Sequence, residues 1–122
     1  MDCILLENFV IPNGVIEIGE EAFAECYALK NISIPSSVEK IGGWAFGYTD
    51  LKKVVLSNNL KVIERNSFMF CELLESVKIP KSVTRINDYA FQNCSNLILS
   101  VPTNTYIEHS DAYRGIKELK RY

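Results

Sequence analysis

The cysteines carry the most reactive side chains in this sequence. Successive cysteines are separated by 23, 45 and 23 residues, and each of them precedes a leucine by three residues. Cysteines that recur at one place in a repeated unit indicate a stacked column of small, buried, reduced side chains. No pair has the Cys-x-x-Cys spacing of a zinc site, so we predict no metal site. The four residues are Cys3, Cys26, Cys71 and Cys94.

A disulfide within this column is the alternative. Stacked strands lie about 4.8 Å apart, and this separation permits a disulfide on distance alone. Side chains that point the same way in register, however, rarely meet with disulfide geometry. We therefore expect the thiols to stay reduced.

The one histidine, His109, is followed directly by Ser110 and Asp111. Adjacent residues cannot form a Ser-His-Asp relay, because catalytic geometry brings together groups from separated segments. We interpret His109 as a solvated residue at the start of a terminal cap. The neighbouring Glu20 and Glu21 are interpreted as a solvated turn, and the sequence contains no glycine-rich phosphate-binding loop. The sequence therefore predicts no catalytic residue, no cofactor-binding residue, no cofactor and no enzymatic activity.

The composition excludes two further classes of partner. Hydrophobic residues make up 48% of the 122 residues, charged residues 23%, and the net charge is -2. A nucleic-acid-binding domain would show a basic footprint, so we predict no nucleic-acid partner. No apolar run approaches the roughly 18 residues of a membrane-spanning helix, so we predict no membrane insertion. The first residues lack the features of a signal peptide, so secretion would require an export signal outside this sequence.

The elements that position these side chains repeat along the chain. The second residue of an Ile-Pro-like pair recurs at 12, 35, 57, 80 and 102, and an Ala-Phe-like pair follows each of them with the same period. A fixed period of about 20–50 residues predicts stacked identical units. We divide the chain, as one solenoid, into a half repeat (1–11), four repeats (12–34, 35–56, 57–79, 80–101) and a C-terminal cap (102–122). Because no polar cap precedes the half repeat, we expect a fragment of a longer array or, alternatively, a self-associating edge.

Each unit has the same predicted parts. Leu-x-x-Ile-x-Ile alternates as a strand does, and the following proline ends that strand. Val-x-x-Ile predicts a second, shorter strand on the opposite side of the coil, and Ala-Phe a helical or 3-10 turn whose phenylalanine fills the interior. Positions 19, 42, 64 and 87 hold Gly, Gly, Glu and Asn, which predicts a left-handed turn there. On that basis Glu64→Gly is expected to stabilise the protein.

The last segment departs from the repeat. Ser110 can cap a helix over residues 110–121, in which Tyr113, Ile116 and Leu119 form one apolar stripe. We predict that this helix covers the final repeat.

Two sets of residues are candidates for protein binding. The first lies on the exposed face of the predicted strands, where lysines outnumber acids, and it suits an acidic partner segment; simple solvation of the surface is the alternative. The second is aromatic and lies beside the Ala-Phe turn, where packing between adjacent turns is the alternative to an interface. The strand set is Lys30, Asn31, Ser33, Lys52, Lys53, Val55 and Lys78, and the aromatic set is Trp44, Tyr48, Phe70 and Tyr89.

The whole unit, Leu-x-x-Ile-x-Ile-Pro-x-x-Val-x-x-Ile-Gly-x-x-Ala-Phe-x-x-Cys, resembles the BspA-like (Treponema pallidum-type) leucine-rich repeat. The third unit departs from this pattern at Ser57, Glu64 and Ser67. The resemblance implies an α/β-type repeat solenoid: a right-handed coil with parallel strands, short second strands, helical or 3-10 turns and a C-terminal cap helix.

The same resemblance implies a function. It suggests a non-enzymatic, protein-binding module of a cell-surface or secreted adhesin-like protein, whose partner is a host or neighbouring-cell surface protein. A structural spacer or a stalk that self-associates end to end is the alternative.

Overall fold

The computed structural model describes residues 7–122, and in them the chain forms a coil of parallel strands. The predicted short strands are confirmed and make one five-stranded sheet along one side of the coil. Each strand is paired with the equivalent residues one repeat later, for example Ile18 with Ile41 and Ile41 with Ile63. In sheet order the strands are β1 (Glu17–Ile18), β3 (Lys40–Ile41), β5 (Val62–Ile63), β7 (Arg85–Ile86) and β9 (Tyr106–Ile107).

The Leu-x-x-Ile-x-Ile segments form the strands of the other side, also in parallel pairs. The ladder is interrupted between β4 (Lys53–Val55) and β6 (Ser76–Lys78), where the backbone N–H of Glu75 still donates to the carbonyl of Lys52 at 3.2 Å. This side therefore consists of a two-stranded and a three-stranded sheet. The first contains β2 (Asn31–Ser33) and β4 (Lys53–Val55); the second contains β6 (Ser76–Lys78), β8 (Ile98–Val101) and β10 (Glu118–Arg121) in the order β10-β8-β6.

The core between the two sides is a set of columns of identical or similar side chains. The phenylalanines of the Ala-Phe turns stack face to face, with ring centroids 5.1 Å apart at each of three steps. This separation follows the strand spacing of about 4.8 Å, because each turn adds one strand to each sheet. A single unit leaves both faces of its core open, so burial requires neighbours on both sides. The stacked rings belong to Phe23, Phe46, Phe68 and Phe91.

The predicted left-handed turn is displaced by two residues. Gly42 does not have a positive φ; its missing side chain is needed because a Cβ there would lie 2.9 Å from the backbone nitrogen of Glu20 in the preceding turn. Since Glu64 also lacks a positive φ, the predicted stabilisation by Glu64→Gly loses its basis. Seven of the eight left-handed residues in the described part of the chain donate their backbone N–H to a carbonyl of the next turn, as Trp44 does to Arg65 O at 3.3 Å. The first series of left-handed residues is Glu21, Trp44, Asn66 and Tyr89, and the second series is Glu25, Tyr48, Phe70 and Asn93.

The predicted cap helix over 110–121 is wrong. A single 3-10 turn, η1 (Ser110–Tyr113), is capped by the side chain of His109 rather than of Ser110, and the chain then turns at Gly115, which has φ 82°. β10 pairs with β8 along its whole length, from Glu118↔Ile98 to Arg121↔Val101. A strand satisfies the open backbone groups of β8, which a helix could not do. Tyr113, Ile116 and Leu119 still pack against the core as half-buried side chains.

None of the helical residues in the described part of the chain forms a segment long and apolar enough to span a membrane.

Candidate binding surface

The alternation of the long strands places the candidate residues on one exposed face. In β2, β4 and β6 the middle residue is buried and the two flanking residues are exposed. Register pairs Asn31 with Lys53 and Ser33 with Val55, so these side chains lie in two columns across the strands. β10 adds Glu118 and Lys120 opposite β8, which extends the face into the cap. The expected exposed strand face is therefore present.

Val55 is the apolar centre of this face. It is 63% exposed because it flanks Val54, the buried middle residue of β4, and therefore points to the outer face. Two depressions of about 590 and 370 Å³ adjoin it, one on each side. We define the Val55 surface by the residues that line them and are used below: Phe9, Val10, Lys53, Val55, Lys78, Lys81 and Tyr122.

The charge of the Val55 surface has one sign. Lys53 lines the smaller depression, Lys78 and Lys81 line the larger one, and no Asp or Glu stands among the described residues that line either. A group of lysines without acidic neighbours creates a local positive potential, even on an acidic protein, and this potential attracts anionic groups. The surface is therefore apolar at its centre and basic at its edge.

Tyr122 holds part of this edge in place. Its hydroxyl donates a hydrogen bond to the carbonyl oxygen of Ile79, which orients the ring. The Nζ atoms of Lys78 and Lys81 lie 4.9 and 5.9 Å from the ring centroid, within cation–π range. The two ammonium groups are thereby kept beside the depression.

Lys30 and Lys52 lie away from the Val55 surface. Lys30 Nζ is 3.4 Å from Asp50 Oδ2 and donates to the carbonyl of Tyr27 at 3.0 Å. Lys52 lines a different depression together with Glu75 and Lys117. The structure thus brings together only part of the strand set, and the lysines at the strand starts have acidic neighbours.

The aromatic set forms a separate ladder between the turns. Tyr48 stacks on Trp44 with ring centroids 5.9 Å apart and on Phe70 at 4.8 Å, whereas Arg65 lies over the ring of Tyr89 at 5.8 Å. Tyr48 is still 42% exposed, so the ladder combines packing between turns with an accessible edge. Its depression is lined by Tyr27, Tyr48, Thr49, Asp50, Phe70, Glu72 and Leu73, none of which lines the two depressions at Val55.

Sequence reasoning missed Tyr122, Lys81 and the pair Phe9 and Val10. Val10 is 86% exposed and holds the same place in its unit as Val55 does, so alignment of the repeats carried a signal for it. No sequence signal indicated Tyr122, because its hydrogen bond to Ile79 joins residues that only the tertiary structure brings together.

The charged groups around His109 form a structural cap. Its Nδ1 accepts a hydrogen bond from the backbone N–H of Asp111 at 3.2 Å, and Arg114 Nη2 lies 3.2 Å from Asp111 Oδ1. One ligand-type atom each from Asp88, His109 and Asp111 lies within 4.8 Å of the others. His109 is exposed, as expected, and its side chain also caps η1.

The cysteine column is reduced only in part. Cys71 and Cys94 are free, buried thiols, as predicted, but Cys26 is disulfide-bonded, which contradicts the prediction at that position. The physical reason is the spacing of the turns: about 4.8 Å lies within the Cα separation that a disulfide spans. Thr49 takes the place of cysteine in its unit, and its Oγ1 lies 3.3 Å from Cys71 Sγ. Cys3 lies outside the described residues.

Comparison with known families gives one extended match. A family model described as a BspA type leucine rich repeat region matches residues 1–120 in six copies. No curated protein matches the chain at a significant level.

Three solved structures are similar over most of the chain. A leucine rich cell surface protein from Faecalibacterium prausnitzii is 30% identical, with 93% of this chain and 31% of that chain covered and a TM-score of 0.87. A leucine rich repeat protein from T. pallidum is 29% identical, with 90% and 56% covered and a TM-score of 0.83. A leucine-rich repeat protein from Bacteroides ovatus is 26% identical, with 87% and 29% covered and a TM-score of 0.76. The chain therefore spans only part of each of these proteins.

Proposed function

Because this chain belongs to the BspA-type leucine-rich repeat family, we propose that it is a non-enzymatic protein-binding module of an adhesin-like protein at the cell surface or secreted from the cell. The surface location is supported by the F. prausnitzii structure, which is described as a cell surface protein. The match covers only 31% of that protein. The surface location and the partner of this chain are therefore proposed rather than transferred from it.

The observation that carries the proposal is the exposed Val55 between two depressions edged by lysines. Protein interfaces combine an apolar centre that becomes fully buried with a polar rim. Val55, Phe9 and Val10 supply the apolar part, and Lys53, Lys78 and Lys81 supply the rim. The strand that carries Lys53 and Val55 is held by its ladder with β2, and the strand that carries Lys78 by its ladder with β8, so little backbone entropy is lost there on binding.

The chemistry of the surface selects the partner. An acidic segment that also carries an apolar side chain would place its carboxylates near Lys53, Lys78 and Lys81 and its apolar group on Val55. Complementary charge raises the rate of association and discourages basic partners, whereas the buried apolar contact supplies affinity. The proposed partner is therefore an acidic, apolar-containing segment of another protein.

A peptide array tests this proposal. The complete chain, carrying a label, is applied to peptides in which Asp and Glu alternate with Leu or Phe, and to matched peptides with Lys in place of the acids. We expect binding to the acidic peptides only, reduced by about tenfold or more in Val55→Asp and in the double variant Lys53→Glu/Lys78→Glu. Lys61→Glu is the matched control, because Lys61 is exposed and lies beside β5 in the opposite sheet. Equal losses in all three variants, or none in any, would refute the proposed surface.

A spacer or self-assembling stalk is the second candidate, favoured by exposed apolar residues of the first turn. Val10 and Ile16 are 86% and 56% exposed. Light scattering over a concentration series distinguishes the two functions. Concentration-dependent end-to-end association, combined with unchanged peptide capture after substitution of Lys30, Lys52, Lys53 and Lys78, would favour the stalk over the binding module.

A further inference from the structure

Cys71 and Cys94 occupy the same place in two successive repeats, and both side chains are completely buried. The Phe68 carbonyl joins them: it accepts hydrogen bonds from the backbone N–H of Cys71 at 3.2 Å and from the Sγ of Cys94 at 3.0 Å. The thiol of Cys94 is thereby directed toward the turn that holds Cys71. Three residues before each cysteine, the rings of Phe68 and Phe91 stack with centroids 5.1 Å apart.

We propose that Cys71 and Cys94 form a disulfide that links these two repeats when the protein meets a low-molecular-weight disulfide such as oxidised glutathione. The separation of the stacked turns matches the roughly 4.4–6.8 Å that a disulfide spans between Cα atoms. Cys26, which holds the same place in an earlier unit, is already disulfide-bonded, so this position of the repeat accommodates the bond. The proposal concerns covalent structure and does not depend on the binding function.

The reaction is an exchange in two steps. The thiolate of one of the two cysteines attacks one sulfur of the small disulfide, forms a mixed disulfide and releases one small thiolate. The sulfur of the other cysteine then attacks the protein sulfur of the mixed disulfide and releases the second small thiolate. The protons of the two cysteines pass through water to the two released thiolates. Two protein thiols are thus oxidised, and one small disulfide is reduced to two thiols.

In the closed coil the two thiols differ in acidity because they contact each other. Burial raises the pKa of Cys71, but hydrogen bonds from Cys94 and Thr49 outweigh it and leave that pKa lowered. The hydrogen bond to Cys71, together with burial, raises the pKa of Cys94 well above its usual value. Cys71 is therefore the more acidic of the two thiols in the closed coil, where their sulfurs interact directly.

Access to the buried thiols requires opening of the coil. The reaction therefore takes place during folding, or through local unfolding of the adjoining turns, rather than in the closed native state. After closure, the bond joins residues that are 23 positions apart and restricts the unfolded chain. We expect it to hold the third and fourth repeats together and to leave the strand face unchanged.

Refolding followed by peptide mapping tests the proposal. The complete chain is unfolded with reductant, refolded in a buffer of oxidised and reduced glutathione, alkylated and cut with trypsin. We expect a linked pair of peptides, residues 66–78 and 86–114, lighter than their sum by two hydrogen atoms. The oxidised protein should melt about 5–10 °C above a sample in which this pair is reduced. Cys71→Ser and Cys94→Ser should each abolish the linked peptides and this part of the shift.

The peptide map of the unaltered chain decides the question even where a serine variant fails to fold. Recovery of both peptides with alkylated cysteines, after refolding to native circular dichroism, would overturn the proposal. A link from either cysteine to Cys26, or a link between two molecules, would overturn it as well.

Discussion

The hydroxyl of Tyr122 donates a hydrogen bond to the carbonyl oxygen of Ile79, a residue 43 positions earlier in the chain. Through this bond the cap reaches back over β8 to the end of β6. The ring of Tyr122 then supports Lys78 and Lys81 at one edge of the Val55 surface. The segment from β10 to Tyr122 therefore both covers β8 and shapes the candidate binding surface.

Tyr122→Phe removes the hydroxyl but keeps the ring. We expect the free energy of unfolding to fall by about 1 kcal/mol, the usual contribution of a hydrogen bond, as measured by urea denaturation. Tyr106→Phe is the control, because Tyr106 is exposed and its contact with Arg85 uses the ring rather than the hydroxyl. An equal effect in the two variants would show that the bond to Ile79 does not contribute to stability.

Phe68 lies in the middle of the phenylalanine column, with Phe46 and Phe91 on either side at 5.1 Å. Phe68→Ala should lower the free energy of unfolding by about 3–5 kcal/mol, because it opens a cavity against both neighbouring turns. Phe9→Ala should cost much less, since Phe9 is exposed and has one ring neighbour, Phe23. Chemical denaturation measures both, and similar losses would contradict the view that stacking on both sides sets the cost.

Glu21 has φ 59°, and its side chain is exposed. A side chain in the left-handed region costs about 1–2 kcal/mol, whereas glycine costs about 0.5–1 kcal/mol in conformational entropy. Glu21→Gly should therefore stabilise the protein slightly, by about 0.5–1 kcal/mol. Glu20→Gly should destabilise it by a similar amount, because Glu20 has ordinary backbone angles. Thermal melting of the two variants gives opposite shifts if the turn bends as described.

The strand β10 covers the outer edge of β8. Removal of residues 117–122 should expose the backbone groups of Ile98–Val101, and exposed strand edges pair with other chains. We expect a lower melting temperature and concentration-dependent association in light scattering. The substitution Lys120→Ala keeps the strand and should leave the protein as monodisperse as the unaltered chain. If the truncated chain and the Lys120→Ala variant associated to the same degree, the edge of β8 would not be the associating surface.

Sequence reasoning predicted the strands and the core phenylalanines well, because their residues recur with the repeat. The strands around Ile32 and Val54, the short strands ending at Ile41 and Ile63, and the buried phenylalanines all lie where the period places them. It failed at the left-handed turn, because glycine at position 42 is required by close approach of the preceding turn rather than by a positive φ. A composition-based rule cannot separate these two reasons.

The candidate site was predicted only in part for a similar reason. The exposure of Lys53, Val55 and Lys78 follows from strand alternation. Whether an exposed lysine is paired with an acid or stands beside an apolar residue depends on contacts with other segments of the chain. Asp50 pairs with Lys30 across 20 positions of sequence, and Tyr122 meets Lys78 through the cap. Neither contact has a periodic signal.

By itself, the sequence determined the period, the parallel strands on two sides of the coil and the identity of the core columns. Each of these follows from short-range patterning that is repeated, so that one unit predicts the next. Only the tertiary structure decided that the end of the chain becomes a strand, that Cys26 is disulfide-bonded and that Val55 has basic neighbours. These features depend on unpaired backbone groups and on contacts between residues far apart in sequence, which no single unit contains.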